Sequence, residues 1–358
     1  MSYTKRAVKG SAVIFTISLV SIALGFFLRT FLARNLSVAE FGLIYSVLAF
    51  MGIFSLFRDM GLNQALIKYI PEFVVKNDMQ SIKSSVVFVF LVQFCAAVLA
   101  MVPVFVFSEF LAQNFFKTQL SIPVLQFLAL TFIASVLFHL MQAFFQGSQN
   151  MKFYAVLEPA RMAFVLATSV IFISLGMGVY GASIGYFIGI VLASFIGGFL
   201  ALRTFPFFST KTRIDTKIAK HLFGFAFPVI LAGVVSISTG YADTLLLTLF
   251  RTLEEVGYYQ VAAPIADAAG LFVGAMSIVA FPMVSELWAR KEKDAISGGV
   301  HIMMKAAILI LAPVAAIIIS SPDLIISILF TDKYLAGAAA LQVLTLGVVF
   351  QSLTIILF

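Results

Sequence analysis

Five charged residues stand inside apolar stretches where charge is costly: Arg29, Arg58, Asp59, Asp243 and Asp267. A charged side chain at mid-bilayer costs about 2.5–3.5 kcal/mol on insertion scales, so by default it marks a pathway or a binding site. An arginine in such a place can grip phosphate oxygens bidentately through its planar fork. A carboxylate beside hydroxyls can bind sodium or a proton. The two arginines fall in the first two apolar segments, and two of the acids fall in the seventh and eighth. That asymmetry points to a transport pathway with a cationic half and an acidic half.

Each residue also has a plainer reading. Ser11, Ser18, Gly25 and Arg29 fall within about 40° of each other on a helical wheel, a polar stripe that could face a cavity. Arg29 lies near a helix end and could equally snorkel to the interface. Arg58 is deeper, where snorkelling is harder. Asp59 points about 100° away from it, so the two should not share a face; Asp59 is expected to bond a neighbouring helix or cap a break near Gly61. Asp243 follows Ser236, Thr239 and Gly240 on one face, which suits an ion site or an inter-helix hydrogen bond. Asp267 shares a stripe with Gln260, Pro264 and Gly274. Pro264 removes a backbone hydrogen bond and can bend its helix, so Asp267 suits gating, proton coupling or pairing with an arginine. His139 lies with Ser135, Gln142 and Gln146, where a hydrogen-bonded structural histidine is expected over a proton relay.

The elements that must position these residues are membrane spans. Of 358 residues, 62% are hydrophobic and 11% charged, against about 45–50% and 25% in soluble domains. Ten apolar segments are long enough to read as spans: 12–33, 41–67, 84–107, 122–145, 160–175, 181–202, 222–250, 257–285, 300–320 and 336–358. The fold class is therefore all-α, a polytopic membrane protein. The first segment is read as a retained span and not a cleaved signal. The small-residue run Gly181, Gly185, Gly189, Ala193, Gly197 should let a neighbouring helix approach closely. The chain stops inside its tenth segment, so a truncated second lobe is the expectation.

Lys and Arg divide between the alternate loops sixteen to four, with Arg161 counted among the sixteen. By the positive-inside rule the N-terminus is cytoplasmic. The net charge of +7 sits in these short loops and implies no nucleic-acid partner. No GxxxxGK[ST] loop is present, so no P-loop ATP chemistry is available. One cysteine, Cys95, and three histidines offer no metal-ligand spacing. The short loops leave no room for the extramembrane catalytic surface of a glycan polymerase or glycosyltransferase.

A repeat with an offset of about 215 residues pairs Glu40-Phe41-Gly42 with Glu255-Val256-Gly257 and Gly25 with Gly240, and each copy then reaches a proline, Pro71 or Pro282, and an acid, Glu72 or Glu286. An even number of spans separates the copies, so both share one orientation, a plan known among transporters. The expected division is a six-helix lobe over 1–202, a basic cytoplasmic linker over 203–221 and a second lobe over 222–358.

Ala33 to Gly42, then Arg58-Asp59-Met60-Gly61-Leu62-Asn63-Gln64 through Pro71, resemble the opening of prokaryotic polysaccharide flippases. Phe227-Pro228 through Asp243, Val256-Gly257-Tyr258-Tyr259 and Phe281-Pro282 resemble the opening of that family's second lobe. The family shares a superfamily with the lipid II flippase and the multidrug and toxic-compound extrusion (MATE) antiporters. The resemblance implies two MATE-like lobes and alternating access. It implies flipping of a polyprenyl-diphosphate-linked oligosaccharide for polysaccharide biosynthesis at the cell membrane, with Arg29 and Arg58 as substrate-binding cations. Asp243 and Asp267 become ion-coupling or gating residues, for Na+ or H+, with no other cofactor. A monomer among membrane lipids, working with glycan-assembly proteins, is expected. A cation-coupled drug antiporter of the same fold is the alternative, against which Arg29 and Arg58 argue.

Overall fold

The computed structural model describes residues 3–208, 210–212 and 216–357. The side chains of Ser11, Ser236, Pro282 and Glu286, named above, lie outside the described residues. The described residues are helical with no strand, and they form two compact units, Met1–Arg251 and Thr252–Phe358. Seven helical stretches among them are long and apolar enough to cross a membrane, or eight with one bent pair counted. The chain is a multi-pass membrane protein, and the ten expected spans fall on helical stretches, the second of them divided among three helices.

In the first unit, α1 (Tyr3–Asn35) is followed by a span in three pieces: α2 (Val38–Ile53), α3 (Ser55–Asp59) and α4 (Leu62–Val75). Ser37 opens α2 with a capping box: its Oγ accepts from the Glu40 N–H at 3.2 Å, and its own N–H donates to Glu40 Oε2 at 2.9 Å. Two donors that the helix cannot satisfy are thereby paired. The span then bends by 48°. The Ser55 hydroxyl donates to the Gly52 carbonyl, and Met60 and Gly61 both take left-handed backbone, at φ 47° and 67°. Glycine tolerates that conformation without a Cβ clash. It is also required by packing, since a Cβ on Gly61 would lie 2.6 Å from the Ala226 carbonyl oxygen. Beyond the break, α4 buries Leu62, Ala65, Leu66, Tyr69 and Ile70 as one stripe and leaves Asn63 and Gln64 off it.

The remaining helices of this unit are α5 (Met79–Val106), the short α6 (Ser108–Asn114), α7 (Ser121–Gly147), α8 (Met151–Phe172), α9 (Gly178–Thr204) and α10 (Thr216–Phe250). A π turn over Ile173–Met177, with Gly176 at φ 82°, folds α9 back on α8. The glycine run does the work expected of it. A Cβ on Gly185 would lie 2.4 Å from Ser169 Oγ, and one on Gly189 would lie 2.6 Å from Val165 Cα. Thr168 locks the contact by donating to the Gly185 carbonyl at 2.7 Å. By the repeat, α10 is the counterpart of α1. By packing it belongs to the first unit, where it lies along α2 and α4. The compact units thus divide at Arg251/Thr252, beyond the 203–221 linker at which the repeat divides.

The second unit holds α11 (Leu253–Ala289), α12 (Lys293–Ser320), the short α13 (Pro322–Leu329), a 3-10 turn over Asp332–Gly337 and α14 (Ala338–Leu357). Its pattern of long, short, long repeats α5, α6 and α7. The turns before α5 and α12 match bond for bond: Asp78 N–H donates to Phe73 O and Glu292 N–H to Leu287 O. Each follows a left-handed residue, Asn77 and Lys291. The Glu40–Glu255 match is explained by capping, because Thr252 and Glu255 form a second box, at 3.0 Å and 3.3 Å.

Candidate functional site

The break in the second span opens onto two adjoining cavities within the first unit. The larger, about 600 Å³, lies between α3, α4, α7, α8 and α10, toward the helix ends that carry Lys76, Lys152 and Lys220. Its wall includes Arg58, Asp59, Asn63, Gln64, Gln142 and Gln146. The smaller, about 360 Å³, lies deeper among α2, α7, α8, α9 and α10 and includes Arg58, Ser135, Glu158, Arg161, Tyr186 and Tyr241. Ser55, Arg58 and His139 line both.

Arg58 is the shared post. Its Nη1 donates to Ser135 Oγ at 3.2 Å, and its guanidinium carbon sits 5.4 Å from the centre of the Phe132 ring. Among the described residues its Nε has no hydrogen-bond partner. A buried guanidinium N–H without an acceptor is a costly arrangement that an anion would relieve. Asp59 lines the larger cavity as well. Arg58 and Asp59 are neighbours on α3, ahead of the break at Met60 and Gly61, and both line this cavity, which reaches more than one face of that short helix. The N-cap of α4 is Gly61, which has no side chain, and the Asp59 carboxyl interacts with the backbone and side chain of Asn63 in the first turn of that helix, as expected of a residue at the break. The Asp59 backbone carbonyl accepts from Gln93 Nε2 at 3.0 Å, and the same amide donates to Asn63 Oδ1 at 3.2 Å. Gln93, only 1% exposed on α5, therefore pins both ends of the break.

The opposite wall was not read from the sequence. Arg161, counted there as a loop charge, lies ten residues into α8 and lines the smaller cavity. The helix begins at Met151 and carries Pro159 inside it, so the expected start at 160 was too late. Arg161 Nε donates to both Glu158 oxygens at 3.2 Å, and Nη2 pairs with Oε1. Glu158 Oε2 accepts from Gln142 Nε2 at 3.3 Å, and Gln142 Oε1 faces His139 Nδ1 at 3.1 Å. The signal available was the Glu158/Arg161 spacing of three, which puts both on one helix face.

The other singled-out residues lie elsewhere. Arg29 lines neither of these two cavities; its guanidinium stacks 4.2 Å from the centre of the Tyr45 ring. Asp243 is exposed on α10, with Oδ1 accepting from the Thr244 N–H at 2.7 Å. Thr239, expected to share its face, donates to its own helix at Val235 O, 3.2 Å away. Asp267 is exposed on α11, in the other compact unit. Among the described residues no group of three His, Cys, Asp or Glu side chains could hold a metal ion.

Comparison with known proteins agrees with this architecture. The family model described as polysaccharide biosynthesis protein matches residues 7–288. An uncharacterized membrane protein of Methanocaldococcus jannaschii is 31% identical over 369 residues, covering 98% of this chain and 72% of its own length. The probable low-salt glycan biosynthesis flippase Agl15 of Haloferax volcanii is 21% identical over 98% of this chain and 70% of its own. Two solved structures share the fold at a TM-score of 0.75. One is an inward-facing multidrug resistance MATE family transporter, 17% identical over 95% of this chain and 79% of its own. The other is the lipid II flippase MurJ in an inward closed conformation, 16% identical over 96% of this chain and 74% of its own. The chain belongs to the polysaccharide biosynthesis protein family, and it has the all-α fold of the MATE transporter and MurJ structures.

Proposed function

We propose that this protein flips a lipid-linked oligosaccharide, of polyprenyl-diphosphate type, from the cytoplasmic to the outer face of the cell membrane by alternating access. The observation that carries the reading is Arg58, an arginine with an unpartnered Nε at the junction of two cavities, with Arg161 on the facing wall. Two guanidiniums on one cavity, that of Arg161 oriented by Glu158, suit a diphosphate, which offers oxygens to both. The family and the name of the Haloferax volcanii relative favour a glycan substrate. The basic helix ends favour a larger cavity that opens toward the cytoplasm, where such a lipid is made. Arg29, Asp243 and Asp267 keep their roles as outer cation and as coupling or gating acids in this proposal, and the unit acts as a monomer.

The test is reconstitution into liposomes with a fluorescent polyprenyl-diphosphate oligosaccharide, read by accessibility of the sugar to a membrane-impermeant quencher. Protein-dependent exchange of the lipid between leaflets is expected. No exchange, together with export of a cationic dye, would move the assignment to a drug antiporter.

A further inference from the structure

We infer that the larger cavity is a sugar subsite, built to hold the first, uncharged residues of the glycan through side-chain carboxamides. The inference rests on the proposed glycolipid substrate and adds which part of it lies where. Asn63, Gln64, Gln142 and Gln146 all line this space, with Asp59 and Tyr154. A carboxamide carries two donors and an acceptor, so it can serve a sugar hydroxyl in either sense. Among the described residues the side chains of Gln64 and Gln146 make no hydrogen bond to the protein, whereas Asn63 and Gln142 are held by Gln93 and Glu158. Two fixed amides and two uncommitted ones make a partly preorganised polar wall.

Chemistry orders the two spaces. The first sugar is bonded directly to the phosphate, so its site must adjoin the phosphate site, as these cavities do at Ser55, Arg58 and His139. The smaller space carries both arginines and no carboxamide on its wall. The larger one has a volume of about 600 Å³, within the range of small-molecule sites. Its charged groups are Arg58, already assigned to phosphate, and Asp59, a carboxylate that can accept from neutral hydroxyls and that repels an acidic sugar. The subsite therefore selects a neutral hexose or N-acetylhexosamine next to the phosphate.

The test is equilibrium binding of two probes to the purified protein in nanodiscs: a bare polyprenyl diphosphate, and the same lipid carrying a neutral N-acetylhexosamine disaccharide. The wild-type protein is expected to favour the glycolipid at least about tenfold, the size of one or two net hydrogen bonds. The Gln64→Leu/Gln146→Leu variant should bring that ratio close to one, and a uronic-acid glycolipid should bind no better than the bare lipid. Arg58→Ala should weaken both probes together. A wild-type ratio near one, with the bare lipid bound, would overturn the sugar subsite and leave the phosphate reading standing. A preference that survives the double substitution would overturn the assignment of these glutamines. Failure of the wild-type protein to bind either probe would overturn the flippase reading and the subsite with it.

Discussion

α2 and α11 start from the same capping box, Ser37 with Glu40 and Thr252 with Glu255, and then diverge. The span that α2 opens breaks at Phe54 and again at Met60 and Gly61, whereas α11 runs for 37 residues in one helix. The 215-residue offset puts Val273 at the position of Arg58 and Met276 at that of Gly61. Val273 is fully buried in the core of its unit with Ala307, Leu311 and Ile356. Arg58 lines two cavities. The repeated scaffold fixes where a span begins; a local departure from the helix decides whether the matching position packs a core or offers a charge.

The comparison can be broken at its hinge. Gly61→Val should cost about 3 kcal/mol or more, through strain at positive φ and a clash with Ala226. Met276→Gly, at the matching place, should cost only about 1 kcal/mol of helix propensity. Thermal unfolding of the purified variants in detergent measures both, and equal losses would mean that the break is not a packed feature. At the adjacent position, Arg58→Ala should lower lipid flipping at least about tenfold, through loss of a charge-assisted contact. Arg58→Lys should keep more of it. Val273→Ala should affect stability alone, by about 1–3 kcal/mol.

Gln93→Leu sharpens the comparison from behind. It leaves the Asp59 carbonyl and Asn63 without their shared donor and should cost about 1–3 kcal/mol. The capping boxes give a matched and smaller pair: Ser37→Ala and Thr252→Ala should each cost about 1 kcal/mol, since the two caps have the same geometry. The smallest effect is at Asp78, which caps α5. The Ser81 hydroxyl, and after it the Ser81 N–H, hold its carboxyl below the ordinary aspartate range. A lowered folded value means that its contribution is present above the unfolded value of about 3.9 and is lost as pH falls through the folded one. On so exposed a group the effect is slight. An unfolding titration between wild type and Asp78→Asn should differ above about pH 4 and converge below it.

Much of this was legible in the chain. Runs of apolar residues gave the spans, and Glu40 with Glu255 gave the repeat, because period and capping chemistry are local properties. Arg58 was legible because charge in an apolar run is expensive wherever it sits. The facing wall was not. Glu158 and Arg161 flank Pro159, and a Pro-containing charged cluster resembles a loop until tertiary packing shows the helix running through it. Gln93 is a polar residue in an apolar span that the sequence does not single out, and only the fold brings it to Asp59 and Asn63. That Arg58 and Asp59 line one cavity follows from the helices packed around α3, which no helical wheel contains.

The central claim is that the cavity at the broken span handles the phosphate of a glycolipid. The direct measurement is depletion of the protein in its host, with complementation by wild type or by Arg58→Ala/Arg161→Ala, followed by extraction of polyprenyl-linked sugars from each membrane face. A glycolipid that builds up on the cytoplasmic face, cleared by wild type and not by the double variant, is the predicted result. No build-up on depletion, or full clearance by the double variant, would contradict it.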